Sequence, residues 1–157
     1  MYQRKNCSSI AWNSYFAGEP CFPHGMKNIF ISGDAKIGRD CVIFQQVVVG
    51  SVVLLDSASS GSPTIGNNCY IGAGAKIIGN VKIGNNVRVG ANTVVYKDVP
   101  DNCVVVSAVQ QNIKKDKVLD NKFYSSPPSW KTFENGSWHK IKDNAVLDSL
   151  NGIISEK

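Results

Sequence analysis

The chain has 157 residues, 43% of them hydrophobic and 18% charged, and a formal net charge of +5. That length fits one domain, and the composition is that of a soluble globular chain, which excludes a disordered one. No apolar run approaches the ~18 residues of a membrane span, and no membrane partner is expected.

In chain order, Met1-Tyr2-Gln3-Arg4-Lys5-Asn6 carries charge with no apolar stretch behind it, so no signal peptide is expected. Residues 1–30 show no aliphatic repeat. Trp12, Tyr15, Phe16, Phe22 and Phe30 predict a short N-terminal cap packed over the open end of the downstream core. Gly18-Glu19-Pro20 and Pro23-His24-Gly25 are turn signals.

From residue 31 onward an aliphatic residue recurs at every sixth position: Ile31, Ile37, Ile43 and Val49, then Ile65, Ile71, Ile77, Ile83, Val89 and Val95. Small or aliphatic residues follow four positions on, as Ala35, Cys41, Val47, Cys69, Ala75, Val81, Val87, Thr93 and Val99. A period of six fits neither a helix at 3.6 nor a plain strand at 2. It fits a short strand plus a tight turn, with Gly and Asn supplying the turn angles. Three such units close a triangular coil, and stacked coils bury the anchors in one internal ladder. Lys76, Lys82 and Arg88 are six apart, so they fall on three different faces and form no basic stripe. No nucleic-acid partner is therefore expected. The modest positive charge suits a small polyanion, or a surface with no specific anion.

Between Val49 and Ile65 an excursion (50–63) interrupts the repeat and holds Asp56 and Ser57-Ala58-Ser59-Ser60-Gly61-Ser62. The phase resumes afterwards, so the loop leaves one corner without breaking the coil. Loops on a rigid scaffold commonly carry binding sites. The five cysteines have no CxxC spacing, and Cys41 and Cys69 sit at inward positions, where a thiol is a small hydrophobe. Neither a disulfide framework nor a metal site is expected, and the setting reads as a reducing cytoplasm.

Cys103-Val104-Val105-Val106 reads as a last strand. The charged stretch from Gln111 to Asp120 predicts a solvated helix or arm, and Ser125-Ser126-Pro127-Pro128-Ser129 a linker. Asn135-Gly136 between Phe133 and Trp138 is a hairpin signal. His139 lies on that hairpin and reads as a surface or packing residue. The expected organisation is a cap (1–30), a core (31–106) and a C-terminal arm and hairpin (107–157), all within one domain.

The repeat resembles that of the hexapeptide-repeat acyltransferases, whose fold is all-β, a left-handed parallel β-helix. The hand comes from the resemblance, since a period does not set chirality. His24-Gly25, Ile29-Phe30-Ile31, Gly33-Asp34-Ala35-Lys36-Ile37-Gly38 and Ile43-Phe44-Gln45-Gln46-Val47-Val48-Val49-Gly50 are similar to the serine acetyltransferase branch. There a His-Gly at this place supplies the catalytic base. Taken alone, His24 reads first as a turn-capping histidine; histidine is also the side chain suited to proton transfer near neutral pH.

The resemblance implies acetyl-CoA as co-substrate, held along a groove where small residues admit the pantetheine. Ala73 and Ala91 match those places, and Lys97 matches a basic residue that meets the nucleotide phosphate. From the residues alone, both alanines are also explained as turn packing. Asp56 and Ser62 are the candidates for holding the acceptor, although from the residues alone Asp56 reads first as a solvated loop carboxylate. Active sites between the subunits of a homotrimer are implied too.

The chain departs from the branch at Pro23, where the branch has Asp, and at Ser62, where it has a second His. The Gly-x-Pro-Ala segment of the family is here Ser107-Ala108-Val109-Gln110. The branch's long N-terminal helical domain has no counterpart in this sequence. Pro23 leaves the orienting partner of His24 unassigned, while Ser62 and the helical domain's lack of a counterpart point to an O-acetyltransferase acting on a sugar hydroxyl, of a surface or capsular polysaccharide or its precursor. Serine as acceptor, or a non-catalytic β-helix scaffold, are the alternatives.

Overall fold

The computed structural model describes residues 7–106, 111–119, 121–125 and 129–155. Each six-residue step does two things. Its strand alternates sides, so the anchor points inward and the residue before it points out. Lys36, Lys82 and Val94 are exposed, while Ile37, Ile83 and Val95 beside them are buried. Its corner then passes through the left-handed region just before a buried residue. Asp34, Asp40, Asn68, Asn86 and Asn92 take φ of 53 to 60° ahead of Ala35, Cys41, Cys69, Val87 and Thr93. Asn and Asp tolerate that conformation because their short polar side chains bond locally. Gln46 takes it too, at φ 62°, without that advantage.

The steps wind into a left-handed parallel β-helix of three faces, opposite to the usual right-handed crossover. The first coil places β1 (Ser9–Ile10) on face A, β2 (Tyr15–Phe16) on face B, and Cys21 on face C, bridged to Val42. The second coil comprises β3 (Phe30–Ile31), β4 (Lys36–Ile37) and β5 (Val42–Ile43). The third is β6 (Val48–Gly50), β7 (Thr64–Ile65) and β8 (Tyr70–Ile71), and the fourth β9 (Lys76–Ile78), β10 (Lys82–Ile83) and β11 (Arg88–Val89). The last has β12 (Val94–Val95), a bridge from Val99 to Ile83, and β13 (Cys103–Val106).

Like residues stack in register. On face A, Ile10 pairs with Ile31, Ile31 with Val49, Val49 with Ile77, and Ile77 with Val95. The anchors from Ile31 to Val95 are at most 3% exposed, and full burial of such a side chain stabilises by about 1.5–3 kcal/mol. β9, β10 and β11 lie in three different sheets, so Lys76, Lys82 and Arg88 do fall on separate faces.

Residues 9–22 are not the non-repeating cap that the sequence suggests. Ile10, Phe16 and Phe22 continue the six-residue spacing and pack against the core, with aromatic anchors replacing aliphatic ones. Trp12, Tyr15 and Phe30 are 95%, 60% and 44% exposed, because their strand or corner positions face outward. The excursion leaves the A–B edge, and its neck is closed by an antiparallel bridge between Val52 and Gly61.

Beyond β13, the expected solvated arm begins instead as β14 (Gln111–Lys114), antiparallel to β13 with Ile113 opposite Val104. It pairs the backbone groups that the last parallel strand would otherwise leave open. The Ser107-Ala108-Val109-Gln110 departure, Asp120, and Ser126, Pro127 and Pro128 of the expected linker lie outside the described residues. Then β15 (Tyr124–Ser125), β16 (Lys131–Glu134) and β17 (Ser137–Lys140) form a small antiparallel sheet. Phe133 pairs with Trp138 around Asn135-Gly136, both at positive φ, as a two-residue hairpin turn requires. Helix α1 (Asn144–Ser155) was not expected from the sequence. Asp143 caps it, its Oδ1 accepting from Ala145 N–H at 2.9 Å, and Trp130 Nε1 donates to Asn151 Oδ1 at 2.9 Å.

Candidate active site

Between the first coil and β3 the chain takes nine residues instead of six, and the extra length forms a turn. Gly25 N–H donates to the Phe22 carbonyl at 3.0 Å, with Pro23 and His24 as the central residues. Proline's fixed φ suits the first central position, and Gly25 leaves the turn at φ 70°. Pro23, a departure from the resembling branch, thus has a structural role. His24 stands exposed at the tip, its ring edge-on to Phe44 at 5.6 Å and 63°. Among the described residues no carboxylate is hydrogen-bonded to it.

This turn lies on the C–A edge, above three stacked corners. Gln46 N–H donates to the Lys27 carbonyl (2.9 Å), Gly74 N–H to Gln45 (3.0 Å) and Asn92 N–H to Ala73 (2.8 Å). Along the edge runs a groove of about 300 Å³ lined by Phe44, Tyr70, Gly72, Ala73, Arg88, Val89, Gly90 and Ala91. His24, Ala73 and Ala91 therefore share one edge, and Phe44 links the histidine to the groove. The Arg88 guanidinium sits 5.8 Å from the centre of the Tyr70 ring. Burial raises the Tyr70 phenol, and Arg88 draws it partly back.

Asp56, Ser62 and Lys97 lie on the A–B edge instead. Asp56 is exposed on the excursion. Ser62 Oγ donates to the Gly33 carbonyl at 3.0 Å and lies 2.7 Å from Ser51 Oγ, which also bonds Ser32 Oγ at 2.7 Å. The hydroxyl is thus tied into a serine cluster. The Lys97 ammonium lies 5.5 Å from the centre of the Tyr96 ring. One copy of the chain does not bring these three to His24.

An aromatic row beside His24 has no counterpart in the sequence-based site. Phe44 meets Tyr70 at 5.0 Å and Phe123 at 6.0 Å; Trp138 meets Phe123 at 6.0 Å and Phe133 at 5.4 Å. Phe44 and Tyr70 adjoin the anchors Ile43 and Ile71, which was the available signal. Phe123 and Trp138 arrive from the C-terminal sheet, and only the fold brings them here. His139 points away from Trp138 on the same strand, its Nε2 2.8 Å from Ser137 Oγ. A second cavity, of about 260 Å³, lies between this sheet and the His24 turn.

The family described as bacterial transferase hexapeptide (six repeats) matches residues 62–97. Over that stretch the chain is similar to the hexapeptide-repeat acyltransferase superfamily. Within it the similarity runs to serine acetyltransferases. That of Synechococcus elongatus is 46% identical over 85 residues, 53% of this chain and 33% of the relative. A serine acetyltransferase solved in complex with cysteine superposes with a TM-score of 0.67 at 26% identity, covering 74% of this chain and 44% of that one. Another, solved in complex with CoA, gives a TM-score of 0.60 at 26% identity, covering 68% and 42%. This hexapeptide-repeat chain thus spans less than half the length of each of these relatives.

Proposed function

We propose that the chain is an acetyl-CoA-dependent O-acetyltransferase with His24 as general base. The observation that carries the reading is that His24 shares the C–A edge with the groove lined by Ala73 and Ala91. A structurally similar serine acetyltransferase has been solved in complex with CoA, which supports CoA as a ligand of this chain. His24 takes the proton of the acceptor hydroxyl as its oxygen attacks the thioester carbonyl. The C–O bond forms, the C–S bond breaks, and the leaving thiolate takes the proton back from the imidazole. No acyl-enzyme is needed, and the buried thiols of Cys41 and Cys69 are not nucleophiles.

The names of the relatives support serine as the acceptor. A sugar hydroxyl is the second reading, supported by Ser62 standing where the branch carries a His. In a homotrimer, the A–B edge of one copy would bring Asp56, Ser62 and Lys97 toward the His24 of its neighbour. Free cysteines, four of them buried, support a reducing, cytoplasmic setting.

His24→Ala is expected to lower kcat a hundredfold or more, with little change in the Kd for CoA. CoA release, measured with L-serine and with sugar acceptors, separates the two acceptor classes. Near-wild-type turnover by the variant would remove the base, and a CoA titration without saturable binding would favour a non-catalytic scaffold.

A further inference from the structure

The turn that carries His24 has a cavity on each side. Phe44, which meets the His24 ring, lines the groove of about 300 Å³ assigned to the coenzyme. Phe22, Gly25 and Met26, which flank His24, line the second cavity, of about 260 Å³. Its far wall is Phe133 and Trp138 of the C-terminal hairpin, and Glu19, Pro20 and Cys21 complete its lining. Transfer between two bound molecules needs one site on each side of the base, so that both reacting atoms are held in reach of it. The second cavity is in that place.

Its lining points to one class of occupant. Trp138 remains 45% exposed, although Phe133 and Phe123 meet it edge-to-face at 72° and 73°. Two rings thus fix the indole without covering it, leaving an apolar plate. Glu19 is exposed at the same cavity and contributes a carboxylate, an acceptor with several lone pairs. A sugar ring has the complementary surface: C–H bonds that pack on an aromatic face, and hydroxyls that donate to a carboxylate. A small amino acid such as serine has no apolar face of that size, and its own carboxylate would be repelled by Glu19. We infer that this cleft is the acceptor site and takes a pyranose ring, with the ring on Trp138, its hydroxyls on Glu19, and one further hydroxyl presented to His24. The assignment rests on the reading of His24 as the base of acetyl transfer.

The test uses the full chain with acetyl-CoA and the methyl glycosides of glucose, galactose and N-acetylglucosamine, with serine alongside. At least one glycoside should be acetylated, and its ring C–H protons should take up saturation from the protein in difference NMR. Trp138→Ala should raise the KM for that glycoside tenfold or more, and Trp138→Phe should restore most of the loss. Glu19→Gln, which keeps the shape of the side chain beside the hairpin's Gly136, should raise the same KM severalfold with the hairpin intact, which guards against Trp138→Ala simply unfolding it. No glycoside bound or acetylated, or a KM unmoved by both Trp138→Ala and Glu19→Gln, would overturn the inference. Serine turnover without glycoside turnover would overturn the cleft and leave the acetyl-transfer reading standing. Full activity in His24→Ala would overturn that reading instead.

Discussion

Gly66 shows how closely the coils stack at single positions. A Cβ there would lie 2.6 Å from the Gly84 carbonyl oxygen and 2.9 Å from Asn85 N, and one on Gly38 would lie 2.5 Å from Gly66. These are backbone atoms, which cannot step aside. The residue after each glycine then links the coils, with Arg39 N–H donating to Asn67 Oδ1, Asn67 N–H to Asn85 Oδ1 and Asn85 N–H to Asp101 Oδ1. Gly66→Ala must spread the column, and overpacking of this kind costs about 1–3 kcal/mol. A thermal melt should register it as a lowered Tm; an unchanged Tm would show that the stack gives way freely. The thiols are equally constrained. Burial pushes Cys21 up to about 11, and hydrogen bonding with Cys41 together with burial raises Cys69, so neither supplies a thiolate at neutral pH.

The elements outside the column are held to it by few but specific contacts. Asn121 is 1% exposed, and its Nδ2 donates to the Asn68 carbonyl at 2.6 Å and to that of Val87 at 3.4 Å. Its Oδ1 accepts from Arg88 Nε at 3.3 Å. The side chain pins the start of the C-terminal sheet to face C, next to Phe123 and Trp138. Asn121→Ala leaves a buried carbonyl without this donor, at a cost of about 1–3 kcal/mol. Amides of β16 and β17 should then exchange faster with solvent than those of β8 or β9. Uniform protection across both sets would show that the sheet docks without Asn121. At the hairpin tip, Asn135 N–H donates to Asp40 Oδ1 at 3.0 Å and ties the same sheet to the B–C edge.

Across the whole molecule, the proposed reading divides the machinery between two edges. His24, Ala73 and Ala91 stand on the C–A edge, and Asp56, Ser62 and Lys97 on the A–B edge. A column is too rigid to bend them together, so the proposed site needs a second copy. A preparation of His24→Ala refolded together with Lys97→Glu should regain part of the activity that each lacks alone, since some interfaces then pair an intact His24 with an intact Lys97. Mixed material no more active than its parents would sink the shared site.

How much was legible in the sequence differs from part to part. The six-residue period was enough for the column, its three faces, the inward thiols and the corner that releases the excursion, because the repeat is local and each anchor's side follows from its position. The Asn135-Gly136 hairpin was legible for the same reason. The aromatic anchors Phe16 and Phe22 hid the first coil, although the spacing was present, and Asp143 with Val146, Leu147 and Leu150 signalled a helix that charge and length obscured. The pairing of His24 with Phe44, and of Phe44 with Phe123, which brings Trp138 alongside, joins residues up to 79 positions apart in the chain. No periodicity encodes such meetings; they follow from where the C-terminal sheet lands on face C, and packing alone decides that.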